Sequence, residues 1–480
     1  MSEMRLRFPP SPTGKIHVGN IRTALFNYLW SEKNEGSLVL RIEDTDTERS
    51  TREFEDIILQ ELDWLGIEVD EGLGQGGEHG PYRQSERLEI YQEYIEKLLE
   101  EDKAYRCYCS EEELTEMREA QKARGEIPHY DGRCRDGDIP EEKKNRDSAV
   151  RFKMPLEEEE ILVEDLIRGD VSFSSDEFDD FVIQKSNGYP TYNFAVVVDD
   201  ALMEVTDVIR GEDHLSNTPK QIMLYRAMGF SLPRFGHLPL ILSEDGSKLK
   251  KRSDADAVYV GEFREQGYLP EALVNFLALL GWSPPSEQEI LSREELIDKF
   301  DMEQVNKSGA IFDREKLNWM NNHYIKEADL DRLLDLSRPF LEEAGYIDED
   351  VDEEWLKRVL DLVRDGVDYL AQLPEESELI FSDLEYEDGE EAAEMFADDE
   401  VQQVLSSLQH EIEGRESITP DEANEIFSLV QDETGVGGRK FYHPLRYALT
   451  GQGSGPDLAS FLSLIGCDEA ADRLERALNI

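Results

Sequence analysis

Arg5-Leu6-Arg7-Phe8-Pro9-Pro10-Ser11-Pro12-Thr13-Gly14-Lys15-Ile16-His17-Val18-Gly19-Asn20 decides how this chain begins to fold. Arg5 to Phe8 is short and apolar at alternate positions, and Pro9 to Gly14 can be neither helix nor central strand, so the segment reads as a strand ending in a loop. From Asn20 to Trp30, Ile21, Leu25, Tyr28 and Leu29 recur at helical spacing, and Leu38-Val39-Leu40-Arg41-Ile42 then has the pattern of a buried strand. Strand, helix and strand in this order imply a parallel crossover. At the loop-to-helix junction, His17 and Gly19 stand where a helix N-terminus presents unpaired N–H groups, a position suited to phosphate.

Working outward, Phe54 to Leu65 reads as a helix closed by Gly66, Gly72 to Gly80 as a glycine-rich loop, and Glu86 to Leu99 as a helix. The pattern is mixed from there to about Tyr189, with short strands over Ala149 to Met154 and Asp180 to Gln184, as expected of an inserted domain. Strands are expected again at Tyr192 to Val198 and Val205 to Ile209, then a helix at Thr218 to Met228 with Pro219 in its first turn. Beyond about residue 325 the segments are helical, including Trp355 to Leu362, Asp399 to His410 and Leu458 to Leu464, which predicts a helical bundle. The expected architecture is α/β: a doubly wound parallel-sheet, Rossmann-like domain split over 1–80 and 190–325, an inserted α+β domain over 81–189, and a C-terminal all-α bundle over 326–480. No internal repeat is visible.

The 480 residues, 39% of them hydrophobic, suffice for more than one core. The longest apolar stretch, Ala272 to Trp282, is broken by Asn275, and the start of the chain has no apolar signal region, so neither a membrane span nor a secretory leader is expected. There are 109 acidic against 51 basic residues, a formal charge of −58. A disordered acidic protein or a folded protein of a salt-rich cytoplasm would both carry such a charge; the periodic apolar segments favour the second. Four cysteines do not make a disulfide framework. Cys107, Cys109 and Cys134 do offer three soft ligands at short spacing, as zinc requires.

Against this acidic background, Ser243-Glu244-Asp245-Gly246-Ser247-Lys248-Leu249-Lys250-Lys251-Arg252 concentrates four cations in one loop. Ammonium groups on such a loop can stabilise an α-phosphate during displacement of pyrophosphate.

Together these segments resemble the class I aminoacyl-tRNA synthetases, with His17-Val18-Gly19-Asn20 in the place of the HIGH signature and Lys248-Leu249-Lys250-Lys251-Arg252 in that of KMSKS. Phe8 to Gly14, Arg41-Ile42-Glu43-Asp44-Thr45-Asp46, Gly80-Pro81-Tyr82-Arg83-Gln84-Ser85, Gly188-Tyr189-Pro190-Thr191-Tyr192 and Asp207-Val208-Ile209-Arg210-Gly211-Glu212-Asp213-His214 are similar to the bacterial-type glutamyl branch. One departure is Lys250, where that branch usually carries serine.

The resemblance implies a cytoplasmic, monomeric glutamate–tRNA ligase using ATP with Mg2+, with L-glutamate and tRNA(Glu) as partners and no membrane. It implies catalytic roles for His17, Gly19, Lys248 and Lys251; ATP binding by these four with Asn20 and Glu212; and glutamate binding by Arg7, Ser11, Glu43, Tyr192 and Arg210. The 81–189 segment would bind the tRNA acceptor end and 326–480 the anticodon. Zinc-binding members resemble Tyr105 to Asp136, which places Asp136 as fourth ligand, with His129 or Tyr130 as alternatives. In strict glutamate enzymes an arginine near Leu362-Val363-Arg364-Asp365-Gly366 reads the third anticodon base; Gly366 falls in its place, so charging of tRNA(Gln) is an alternative. An inactive acidic tRNA-interaction protein is the alternative of another class, which the loop lysines oppose.

Overall fold

The structure, a computed structural model, describes residues 3–46, 48–137, 139–157, 159–249 and 259–480. Lys250, Lys251 and Arg252 lie outside the described residues. The chain divides into two compact units, Met1–Phe263 with Pro270–Arg314, and Arg264–Leu269 with Glu315–Ile480.

In the first unit, β1 (Arg5–Phe8) and α1 (Val18–Lys33) lead to β2 (Ser37–Leu40), and β2 pairs with β1 in parallel with Leu6 opposite Leu38 and Phe8 opposite Leu40. The expected crossover is present. α1 lies against both strands, burying Ile21, Leu25, Phe26 and Leu29. Thr51 accepts the Phe54 amide to cap α2 (Arg52–Trp64), and Gly66 follows at a φ of 61° that favours glycine. β3 (Glu71–Gly72) completes this side of the sheet beyond β2.

The inserted stretch contributes α3 (Leu88–Glu100), β4 (Ala104–Cys107), α4 (Glu111–Ala123), the short α5 (Glu141–Lys144), β5 (Ala149–Phe152), the hairpin β6 (Glu160–Asp165) and β7 (Gly169–Ser174), and β8 (Val182–Gln184). β4, β5 and β8 form their own antiparallel sheet. The β6–β7 hairpin instead joins the main sheet, where Phe235 pairs with Asp165 and Phe235 O accepts the Leu166 amide.

Tyr192 to Val198, expected as a strand, is helical: α6 spans Tyr192–Leu202. Phe194 through Val198 are all buried, and a continuous apolar run carries no period that separates a buried strand from a buried helix. The strand comes later, as β9 (Asp207–Gly211), followed by α7 (Thr218–Met228) and β10 (Arg234–Leu238), parallel to β9. Arg5 O accepts the Thr206 amide at 2.9 Å, which sets β9 beside β1 on the side opposite β2. Chain order reverses between β1 and β9, the place where doubly wound sheets open a crevice at their C-terminal ends. Next come β11 (Ile241–Leu242), α8 (Val260–Glu265), α9 (Pro270–Leu279), α10 (Arg293–Lys299) and β12 (Ala310–Ile311), which pairs with β11.

Among its described residues the regular elements of the second unit are all helices, from α11 (Arg314–Glu327) to a last helix at Cys467–Leu478. Its largest apolar cluster includes Phe396, Leu405, Leu408, Phe427, Phe441, Leu462 and Leu474. No described helix is long and apolar enough to cross a membrane.

Candidate active site

A cavity of about 700 Å³ opens at the C-terminal ends of β1 and β9, lined among others by Arg7, Ser11, His17, Gly19, Asn20, Glu43, Tyr192, Arg210 and Lys248. It therefore collects most of the residues singled out in the sequence, from segments as far apart as Arg7 and Lys248.

Its floor is built on buried charge. Arg7 Nε faces the Asp200 carboxylate at 3.4 Å, and Arg41 bridges Asp200 at 2.7 Å and Glu43 at 3.2 Å. Behind them Asp199 receives Arg87 at 2.7 Å, with Gln84 and the Tyr91 hydroxyl each at 2.8 Å. Burial raises the Glu43 carboxyl against the pull of Arg41 and Arg7. Burial also pushes up the Asp200 carboxyl, but Arg7 and Arg41 outweigh it and leave that group below the usual range. Asp200 and Arg41 went unassigned in the sequence; the signal was an acidic pair closing an apolar run, as a helix that turns carboxylates back into a core would show.

Arg210 differs from these arginines. Its guanidinium donates to Thr218 Oγ1 and Gln221 Oε1, both at 2.8 Å, to His237 Nε2 at 3.2 Å and to the Tyr192 hydroxyl at 3.4 Å. None of these partners is an anion, and among the described residues Arg210 makes no ion pair. Burial lowers its pKa, outweighing the pull of the more distant Asp200 carboxylate. A buried cation of this kind is stabilised by an anion entering the cavity. Burial likewise raises the Tyr192 hydroxyl and lowers the nearby His214 imidazole, which Arg210 disfavours further, to about 4.

On the opposite wall His17 caps α1, its Nδ1 accepting the Gly19 amide at 3.1 Å. In the neutral ring the proton then resides on Nε2. Lys248 is exposed and follows a turn in which Ser243 N donates to Ser247 O at 2.8 Å, with Leu242 bridged to Lys248. Leu249 and Tyr259, which flank the segment containing Lys251, both line the cavity, and Tyr259 is bridged to His17.

Two expected residues are placed otherwise. Glu212 does not line the cavity: its carboxylate pairs with Arg168 and accepts the Leu240 amide at 3.1 Å. Asp136 stays outside the cysteine cluster, with its side chain 74% exposed, 3.9 Å from Arg135 and 4.0 Å from Lys153. Two nearby cations and open solvent hold it there. The sulfurs of Cys107, Cys109 and Cys134 do converge, within 4.8 Å of one another. The oxygen that joins them belongs to Tyr130, whose ring lies under the Arg151 guanidinium at 3.7 Å. His129 turns its Nδ1 to Ile127 O at 3.1 Å.

Residues 3–319 match the family described as tRNA synthetases class I (E and Q), catalytic domain, and residues 332–478 match the anticodon binding domain. The glutamate–tRNA ligase of Natranaerobius thermophilus is 49% identical over 486 residues, covering 100% of this chain and 99% of its own. Glutamate–tRNA ligase 2 of Caldanaerobacter subterraneus is 49% identical over 489 residues, with 100% of both chains covered. The crystal structure of a glutamate tRNA ligase from Elizabethkingia meningosepticum in complex with its amino acid superposes with a TM-score of 0.91 at 35% identity, covering 100% of this chain and 99% of that one.

Proposed function

The chain belongs to the class I tRNA synthetases of the E and Q type, and on that premise we infer that it is a glutamate–tRNA ligase. ATP, with Mg2+, and L-glutamate give glutamyl-adenylate and pyrophosphate; the 3′-terminal ribose of tRNA(Glu) then takes the glutamyl group and AMP leaves.

The observation that carries the residue roles is the buried Arg210, which faces the cavity without a carboxylate partner among the described residues. A glutamate carboxylate supplies the missing charge in a charge-assisted hydrogen bond at Nη1, the guanidinium nitrogen not filled by Thr218, Gln221 or His237. Arg7, already shared with Asp200, contributes positive potential from the other strand end, while Glu43 accepts the substrate ammonium and Ser11 and Tyr192 offer hydroxyls. Ordered this way, one α-carboxylate oxygen attacks the α-phosphorus as the bond to pyrophosphate breaks. His17, through Nε2–H, and Asn20 receive the triphosphate where Gly19, without a side chain, lets it approach the start of α1, and Lys248 with Lys251 neutralises charge as pyrophosphate departs. This chemistry is positioning and charge stabilisation, without a covalent enzyme intermediate. Glu212 acts on the nucleotide side by holding the Leu240 backbone.

The 81–189 segment receives the acceptor end and the protein works as a cytoplasmic monomer. Zinc, where bound, is held by Cys107, Cys109, Cys134 and the Tyr130 oxygen, and ties β4 to the 130–134 turn, far from the reaction. Zn–S bonds of about 2.3 Å require sulfurs roughly 3.8 Å apart in a tetrahedron, within the span of this cluster.

ATP–pyrophosphate exchange with and without tRNA tests the assignment: exchange dependent on glutamate supports it, and none under either condition would leave the inactive tRNA-interaction reading. A second reading, that tRNA(Gln) is charged too, is favoured by Gly366, which lacks an anticodon-reading side chain. Aminoacylation of tRNA(Gln) transcripts decides it.

A further inference from the structure

Arg210 is held from behind by a chain of contacts that begins in the inserted hairpin. His237, fully buried on β10, turns Nε2 toward Arg210 Nε at 3.2 Å and Thr218 Oγ1 at 3.1 Å. Its Nδ1 lies 2.5 Å from Asp165 Oδ2, and Asp165 is the last residue of β6. The other carboxylate oxygen, Oδ1, accepts the amides of Ile167 at 2.9 Å and Arg168 at 2.8 Å and that of His237 at 3.3 Å.

Proton placement in this row is determined. Arginine Nε–H can only donate, so His237 Nε2 must accept; Nδ1 then carries the proton and donates to the ionised Asp165. We propose that Asp165 and His237 are positioning residues for amino-acid recognition, fixing the imidazole tautomer that anchors Arg210 Nε and, with Thr218 and Gln221 holding Nη2, presents Nη1 to the bound carboxylate. The proposal rests on the reading of Arg210 as the glutamate partner.

The same turn reaches the nucleotide side. Arg168, three residues after Asp165, pairs with Glu212, and Glu212 in turn accepts the Leu240 amide. One turn of the inserted segment thus supports one residue beneath the amino-acid pocket and another beside the ATP wall. Neither Asp165 nor His237 lines the cavity.

The two histidine nitrogens allow a test that a merely structural role would not satisfy. In His237→Gln the side-chain oxygen falls near the Nε2 position and still accepts from Arg210; in His237→Asn the amide falls near Nδ1, keeps Asp165 as partner and leaves Arg210 Nε without an acceptor. In Asp165→Asn the backbone contacts of Oδ1 survive, but the new N–H₂ faces Nδ1 and forces the proton onto Nε2, against Arg210 Nε–H.

Michaelis constants for glutamate and ATP are measured by ATP–pyrophosphate exchange in the presence of tRNA, with melting curves, for full-length wild type, these three variants and Arg210→Lys. Loss of a hydrogen bond to a charged group corresponds to a rise of about ten- to hundredfold in the glutamate constant. That rise is expected for His237→Asn and Asp165→Asn, with the ATP constant within about twofold, while His237→Gln stays near wild type. Should Asp165→Asn fail to fold, His237→Asn, with Asp165 and its turn intact, carries the same comparison. A glutamate constant unchanged in His237→Asn, or raised more in His237→Gln, overturns the relay. Either result together with a raised constant in Arg210→Lys leaves the pocket assignment standing; an unchanged constant in Arg210→Lys removes the pocket assignment and the relay with it.

Discussion

The Tyr130 hydroxyl sits 3.4 Å from the Cys107 sulfur and accepts the Cys134 amide at 3.1 Å. It thus touches both ends of the cysteine motif, whereas Asp136 is directed toward Lys153 and Arg135. Protein purified without chelator should contain about one zinc per chain. Cys109→Ser should lose the metal, Tyr130→Phe should weaken zinc affinity by about tenfold or more, and Asp136→Ala should leave the content unchanged. Metal analysis with a competing chelator measures all three; zinc lost from Asp136→Ala alone would restore that carboxylate as ligand.

His17 both caps α1 and faces the cavity, and the two roles separate by substitution. His17→Asn retains an N-cap oxygen and should melt like the wild type, while exchange falls by roughly a hundredfold, as when one preorganised donor is removed. Lys248→Ala and Lys251→Ala should each lower exchange by a comparable factor with the fold intact. Unaltered turnover in Lys251→Ala would shift the role to Lys250 or Arg252.

Glu71 provides a pH prediction. Burial opposes its ionisation, but hydrogen bonds from Tyr82, Arg5 and His79 outweigh burial and bring the carboxyl down to about 2. A carboxyl lowered on folding contributes stability that is complete above its unfolded pKa of about 4.3. That contribution is lost as pH falls from there to about 2. Glu71→Gln should therefore be less stable than the wild type at neutral pH, with the gap closing in acid over that window. Parallel melting curves as a function of pH check this; a gap constant with pH would mean that shape and not charge matters at this position.

A formal charge of −58 must be reconciled with a polyanionic substrate. Raising potassium chloride to about 1 M contracts the Debye length to roughly 3 Å. Repulsion within the protein and between protein and tRNA is then screened, and short contacts persist. Aminoacylation and melting temperature should both increase toward that concentration, the reverse of the usual loss of nucleic-acid affinity with salt. An activity optimum at low salt with no change in melting would defeat the salt-adapted reading.

The entry to the catalytic fold was legible because local rules and tertiary outcome agree there: prolines end β1, His17 and Gly19 open α1, and the apolar runs on either side pair in parallel. Agreement failed at Tyr192 to Val198, where burial on every side erased the period and a helix took the place of a strand. Site residues borne by motif segments, such as Arg7, Glu43 and Arg210, could be singled out one at a time. What supports them could not be: Asp165, His237 and Asp200 become neighbours of those residues only through sheet register and helix packing. The Tyr130 oxygen and the Asp136 carboxylate could not be ranked from spacing, since the turn from 130 to 134 decides which faces the sulfurs.

The β6–β7 hairpin, paired with β10, makes the inserted stretch a laced element and not a detachable cassette. The strands that pair within the insert, β5 and β8, lie on either side of this hairpin in the chain, so closing one sheet requires the intervening thirty or so residues to loop out and enter the other. The two sheets are therefore committed to folding together. Cutting out 81–189 as a block would strip β10 of a neighbour and expose a bare strand edge, inviting aggregation. A chimera that exchanges the tip must replace two separate pieces and leave residues 160–174 where they are.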